Sequence, residues 1–215
     1  MSRKYHQREE VCRYDFTDEN GRLRFQKIRF RILDPEPGGR QKDFRYFNPD
    51  ALPIDRWRKP EGADRLIYNL PAVLRAIREG KTIHSVEGEK DADALIRLGH
   101  AATSVHQGAN KVLREQMAWL FDARHIVIWV DKDVEHPEVG AHDAAMRHDH
   151  LVALGYPGVI EFRRAVGPWG GLKDVHDHIA AGYSLADAVR VNPQRLAACA
   201  SRYTPTQNWS AGYGR

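Results

Sequence analysis

The chain has 215 residues, with 33 Lys and Arg against 29 Asp and Glu, a formal net charge of +4, and only two cysteines. That length buries a core without staples, and Cys12 and Cys199 are too few and too far apart for a zinc finger or a disulfide framework. No apolar run approaches the roughly 20 residues of a membrane span, and MSRKYHQREE has no secretory apolar core, so a soluble, cytoplasmic protein is expected.

The first 47 residues read as strands. VCRYDF leads through the turn signal TDENG into RLRFQKIRFRIL, where basic and apolar residues alternate. Leu23 and Phe25 face one side. Ile28, Phe30 and Ile32 share it only if the parity slips, which predicts a β-bulge near Gln26 or Lys27. RQKDFRYF is a returning strand, and residues 48–64 form an irregular connection rich in proline and polar groups.

From there the rhythm becomes strand and helix. Asn69 and Pro71 open a helix that Gly80 closes, and TIHSV is a short strand. EKDADALIRLG is a helix, AATSV a strand and KVLREQMAWLF a helix. HIVIWV is the clearest buried strand. A helix runs from about Val139 to Leu154, GVIEF is a fourth strand, and residues 183–200 are helical before a loose tail. Strands alternating with helices imply a doubly wound α/β sheet of about four parallel strands, preceded by a small antiparallel β-rich subdomain. The expected division is residues 1–64, 65–182 and 183–215.

Acidic residues gather where this pattern puts strand ends. Glu87 follows TIHSV, with Glu89, Asp91 and Asp93 close behind; Asp131 and Asp133 follow HIVIWV; Asp174 and Asp177 lie in LKDVHDHI after the fourth strand. In open parallel sheets, ligands bind beyond the carboxyl ends of the strands. Carboxylates converging there repel one another unless a cation sits between them, and Mg²⁺ or Mn²⁺ suits oxygen ligands beside a phosphate substrate. Each cluster also has a plain explanation. Glu89 and Asp91 complement a helix dipole, and Asp174 with Asp177 makes an N-cap and its N3 partner.

The stretch VEGEKDADAL, the later D-x-D of Asp131 and Asp133, and GLKDVHD together resemble the Toprim domain, most closely that of primases from phages and mobile elements. The resemblance covers roughly residues 80–180. It implies Glu87 as the catalytic glutamate, Asp131 and Asp133 as catalytic metal ligands, Asp174 and Asp91 as further acidic positions near the metals, Asp177 as a less firm match, and Lys173 as a phosphate contact. It also implies primer synthesis on single-stranded DNA from nucleoside triphosphates. A nuclease or nicking enzyme, and a nucleic-acid adaptor without turnover, are the alternatives. Bacterial-type primases usually add a zinc-binding module and often a helicase. The chain has no cysteines for the former, so a zinc-ribbon module or helicase acting in trans is expected.

Arg22, Arg24, Lys27, Arg29 and Arg31 form a basic stripe, with Lys42 and Arg45 nearby. A single-signed face with interleaved aromatics suits a single-stranded template; the alternative is a solvated sheet face. HDH occurs twice, but alternate residues on a helix diverge, so these histidines are expected at the surface, with His176 near the proposed metals. Trp169 is a candidate for stacking a base. EGKT lacks the glycine of a P-loop and precedes its strand, so it is not one.

Overall fold

The computed structural model describes residues 7–37, 39–133, 135–168 and 171–205. Two sheets carry the fold. Strands β1 (Arg8–Thr17), β2 (Leu23–Ile32) and β3 (Lys42–Phe47) form an antiparallel sheet in chain order. Strands β4 (Ile83–Ser85), β5 (Ala101–Thr103), β6 (His125–Trp129), β7 (Val159–Arg164) and β8 (Val189–Arg190) form the second, in the order β5-β4-β6-β7-β8. Its first four strands are parallel, and β8 adds an antiparallel edge. The α/β architecture read from the strand–helix rhythm is the one observed.

The parallel sheet's crossovers use α2 (Glu89–Arg97), the short α3 (Arg114–Met117) and α4 (Pro137–Ala153). Helix α1 (Leu70–Arg78) precedes β4, α5 (Val175–Ala180) follows β7, and α6 (Pro193–Ala200) packs on α4. Three expectations change. KVLREQMAWLF is one helical turn plus a 3₁₀ turn at Ala118–Leu120, and residues 183–200 hold a 3₁₀ turn, β8 and α6 instead of one helix. The third concerns β2. Lys27, Gln26 and Ile28 stay in continuous register with both neighbours, and the irregularities fall at Val11 of β1 and Arg24 of β2.

The parity argument failed because it assumed that a buried position must be apolar. Lys27 is 3% exposed on the face it shares with Phe25, and its ammonium donates to both oxygens of Glu89 at 2.8 and 2.9 Å. Around this pair Phe16 stacks on Phe25, with centroids 4.6 Å apart, and Phe16, Phe25 and Tyr46 set their rings edge-on to buried His106. His106 accepts or donates at Tyr46 Oη (2.8 Å) and the Ala63 carbonyl (3.1 Å). Tyr14, Phe16, Phe25 and Tyr46 belong to one apolar cluster with Ile67, Leu70, Val105 and Ile126, so the small sheet and the parallel sheet share a core.

Candidate functional site

The four acids of residues 87–93 separate at the start of α2. Positions four apart on α2 share a face, so Glu89 and Asp93 point one way and Asp91, two residues from each, another, while Glu87 precedes the Gly88 N-cap. Glu89 takes Lys27, and Asp93 accepts the Tyr68 hydroxyl at 2.8 Å. Glu87 and Asp91 are left for the carboxyl end of the sheet.

Asp131 and Asp133 leave β6 on the same side, and Lys132 points oppositely. The Lys132 ammonium donates to the carbonyls of Val166, Gly167 and Pro168 at 3.0, 3.2 and 3.3 Å, which ties down the loop after β7. Its backbone N–H donates to the Lys173 carbonyl at 2.9 Å, which draws the next acidic segment against the strand end. There Asp174 caps α5, accepting the Asp177 N–H at 2.8 Å. The expected capping role is real, and it leaves the second oxygen of Asp174 facing Lys90 at 3.1 Å. The His176 N–H donates to Asp91 at 3.3 Å, joining α5 to α2. Gly140 of α4 closes the back: a Cβ there would stand 2.4 Å from the Asp131 carbonyl oxygen, so only glycine permits this approach.

The charges of the strand-end acids bear on one another. Burial pushes Asp131 well above the ordinary carboxylate range, and Glu87, Asp91 and Asp174 push it further. Burial, with Asp174 and Glu87, raises Asp91 to about 7. Glu87 is raised to about 7 by burial and by Asp143 and Asp133, against the opposing pull of Arg147 and Lys173. Lys173 is 3.1 Å from Asp133; burial works against its charge, but Asp133, Asp131 and Glu87 lift it above the usual lysine value. Like charges raised together are the signature of a site that lacks enough positive charge of its own.

This donor set fits a divalent cation. Ligand atoms of Asp174, His176 and Asp177 can lie within 4.8 Å of one another, and Glu87, Asp91 and Asp131 bear on the same region. The carboxylate oxygens suit Mg²⁺ or Mn²⁺, and the imidazole of His176 is the softer donor of the set. Sequence reasoning missed Lys90, which lies 3.1 Å from Asp174 and 3.9 Å from Asp177 and pulls Asp91 down by its charge. It also missed the α4 pair Asp143 and Arg147; the available signal was their spacing in line with Gly140, Ala144 and Leu151 on the buried face of the helix.

The basic stripe is redistributed. Lys27 is buried and leaves the surface altogether. Arg22 pairs with Asp50 at 2.9 Å, Arg24 with Asp18 at 3.8 Å, Arg31 with Glu9 at 3.5 Å and Arg45 with Asp43 at 3.5 Å. Lys42 and Arg29 are placed differently. Burial lowers the Lys42 pKa, and so do the charges of Arg29, Lys173 and Lys90, while Glu87 opposes them. Lys42 of the small sheet therefore lies within reach of the acidic site's charges, with Arg29 beside it. Among the histidines, His178 is fully buried and contacts the Ser184 carbonyl at 2.7 Å. Trp169 lies outside the described residues.

No protein-family model matches the chain, and no curated protein sequence does. Solved structures do match. The Escherichia coli primase catalytic core superposes with a TM-score of 0.56 at 17% identity, over 88% of this chain and 55% of that one. A DNA primase domain from Pseudomonas aeruginosa gives 0.53 at 20% identity, over 87% and 53%. A DnaG primase catalytic domain bound to single-stranded DNA gives 0.55 at 19%, over 83% and 50%. The fold is similar to that of primase catalytic cores. The chain spans about half the length of these structures. Among its described residues no helix is long and apolar enough to cross a membrane.

Proposed function

We propose that the protein transfers nucleotidyl groups on nucleic acid with the help of Mg²⁺ or Mn²⁺, as the catalytic part of a phage-like DNA primase that makes RNA primers on single-stranded DNA. The observation that supports this reading is the grouping of Glu87, Asp91, Asp131 and Asp174 at three strand ends, the first three raised by burial and by nearby acids, on a fold like that of primase cores.

Asp131, Asp133 and Asp174 would hold the cation, which when bound neutralises phosphate charge and lowers the pKa of an attacking hydroxyl. The chain's own residues supply the rest. Glu87, raised to about 7, is matched to accept the proton of a 3′-hydroxyl near neutral pH. Lys173 and Lys90 stand beside Asp133 and Asp174 and are positioned to meet phosphate oxygens as those carboxylates turn to the cation. Lys42, held down by burial and by the charges of Arg29, Lys173 and Lys90, would meet the backbone of a template strand or a triphosphate. A zinc-ribbon module or helicase, supplied by partner proteins, would provide template reading and delivery.

The test is incubation with single-stranded DNA, nucleoside triphosphates and Mn²⁺. Wild type is expected to yield short RNA, and Glu87→Gln and Asp131→Asn to lose about 10³-fold of that activity, the worth of several kcal/mol of transition-state stabilisation. Shortened DNA would instead mark a nuclease, and a gel shift without products an adaptor. Equal product from all three proteins would remove the assigned roles.

A further inference from the structure

The two histidines of VHDHI are used unequally. His178 is fully buried and engaged at both ring nitrogens: Nδ1 accepts the Val166 N–H at 3.3 Å, and Nε2 meets the Ser184 carbonyl at 2.7 Å. His176 is half-buried, yet its Nδ1 is closed off from solvent and has no hydrogen-bond partner among the described residues. That nitrogen stands 3.5 Å from Oδ1 of Asp177 without a hydrogen bond to it. A buried ring nitrogen left unpaired is costly, and a ligand that meets it removes the cost.

Two carboxylate oxygens share its surroundings. Each neighbouring acid commits one oxygen to a backbone N–H: Oδ1 of Asp174 accepts from Asp177 at 2.8 Å, and Oδ2 of Asp177 from Lys173 at 3.2 Å. The other two oxygens face Lys90, whose ammonium lies 3.1 Å from Oδ2 of Asp174 and 3.9 Å from Oδ1 of Asp177. A cation is thus already drawn to this spot, but it answers only the carboxylates and leaves Nδ1 of His176 over. A metal ion serves all three. Ligand atoms of Asp174, His176 and Asp177 lie within 4.8 Å of one another. Around an octahedral ion with bonds of roughly 2.1 Å, neighbouring ligand atoms stand about 3 Å apart and opposite ones about 4.2 Å. The backbone presenting these groups is held in place, because the His176 N–H donates to Oδ1 of Asp91 at 3.3 Å and the Lys132 N–H to the Lys173 carbonyl at 2.9 Å.

We propose that His176 is a direct ligand of the cation beside Asp174 and Asp177, and that its imidazole makes this end of the site prefer a first-row transition ion such as Mn²⁺ over Mg²⁺. This deepens the divalent-cation reading given above and rests on it. Mg²⁺ keeps to carboxylates, phosphates and water, whereas imidazole is a donor for transition ions. His178, engaged at both nitrogens, takes no part. Lys90 leaves the two carboxylate oxygens as the ion enters.

The experiment titrates the metal-free protein separately with Mn²⁺ and Mg²⁺ by calorimetry and reads the Mn²⁺ complex by electron spin-echo modulation. Wild type should bind Mn²⁺ more tightly than Mg²⁺ and show modulation from a directly bound imidazole nitrogen. In His176→Asn that modulation should vanish and the Mn²⁺ Kd should rise about tenfold or more, while the Mg²⁺ Kd stays within about twofold. Circular dichroism checks the fold of the variant, with His176→Gln carried in parallel; if neither folds, the wild-type spectrum decides alone. Bound Mn²⁺ without an imidazole nitrogen, modulation that survives in the variant, or equal losses for the two ions overturns the proposal and leaves the cation site standing. Binding of neither ion by wild type sinks the cation site and this proposal together.

Discussion

The two sheets handle charge in opposite ways. In the antiparallel sheet four arginines are answered close by: Arg22 by Asp50, Arg24 by Asp18, Arg31 by Glu9 and Arg45 by Asp43. Neighbouring strands and tight turns bring opposite charges side by side. At the carboxyl end of the parallel sheet, loops from β4, β6 and β7 deliver acids to one region, and Glu87, Asp91 and Asp131 are each raised by burial and by other acids: Glu87 by Asp143 and Asp133, Asp91 by Asp174 and Glu87, Asp131 by Glu87, Asp91 and Asp174. A charge that is locally neutralised reports folding and solubility. A charge that folding concentrates against its own repulsion reports a ligand. Lys27 and Glu89 form the seam between the two regimes: a cation from one sheet neutralises an acid from the other.

That seam offers the largest way to break the comparison. Lys27→Met leaves Glu89 buried and unpaired, and the urea unfolding free energy should fall by about 3–5 kcal/mol. Adding Glu89→Leu should restore most of it. A single-variant loss below about 1 kcal/mol would show that the seam is not a buried ion pair in solution.

The acidic end gives the next effect. A carboxyl raised in the folded state holds protons that the unfolded chain has released, so it costs stability as pH rises from the ordinary carboxylate range to about 7. Buried His84 and His106, lowered to about 4 and about 3, tilt nearly the same window the other way, so the difference between proteins is the clean reading. Metal-free Asp131→Asn should melt a few degrees (roughly 2–6 °C) above wild type at pH 8, a gain that fades toward pH 4. Mg²⁺ at about 100 times its Kd should raise wild-type Tm by roughly 5–10 °C at pH 8, less at pH 5, and should not raise the variant's. Thermal scans at the two pH values check both. A variant less stable than wild type at pH 8 would mean that Asp131 is not repelled.

The smallest effect separates the cations. Lys42→Ala should weaken single-stranded DNA binding and lower the slope of log K against log salt by about one, whereas Arg31→Ala, already on Glu9, should leave that slope unchanged. Fluorescence anisotropy across a salt series distinguishes them. Equal slopes for the two variants would return the small sheet to a uniform basic face.

Much of the parallel sheet was legible because its signals are local. TIHSV and HIVIWV are short apolar runs, and a residue that directly follows such a run falls at the strand's carboxyl end, so Glu87, Asp131 and Asp133 could be placed from order alone. Asp174 was legible as an N-cap by its spacing to Asp177. The two-residue β8 was not, since two residues carry no period. The misplaced bulge had a different origin: the acid that makes a buried lysine tolerable at position 27 lies 62 residues away.

Chain order and hydrophobic period by themselves determined the alternation of strands and helices, the parallel core and the acids at its strand ends, because each is written within a few neighbouring residues. Tertiary structure alone decided which acids pair with Lys27 or Tyr68, that Lys42 comes within reach of the charge of Glu87, and that Asp143 and Arg147 lie buried together. Those outcomes depend on distances between segments far apart in the chain, and Coulomb and hydrogen-bond energies are set by that distance.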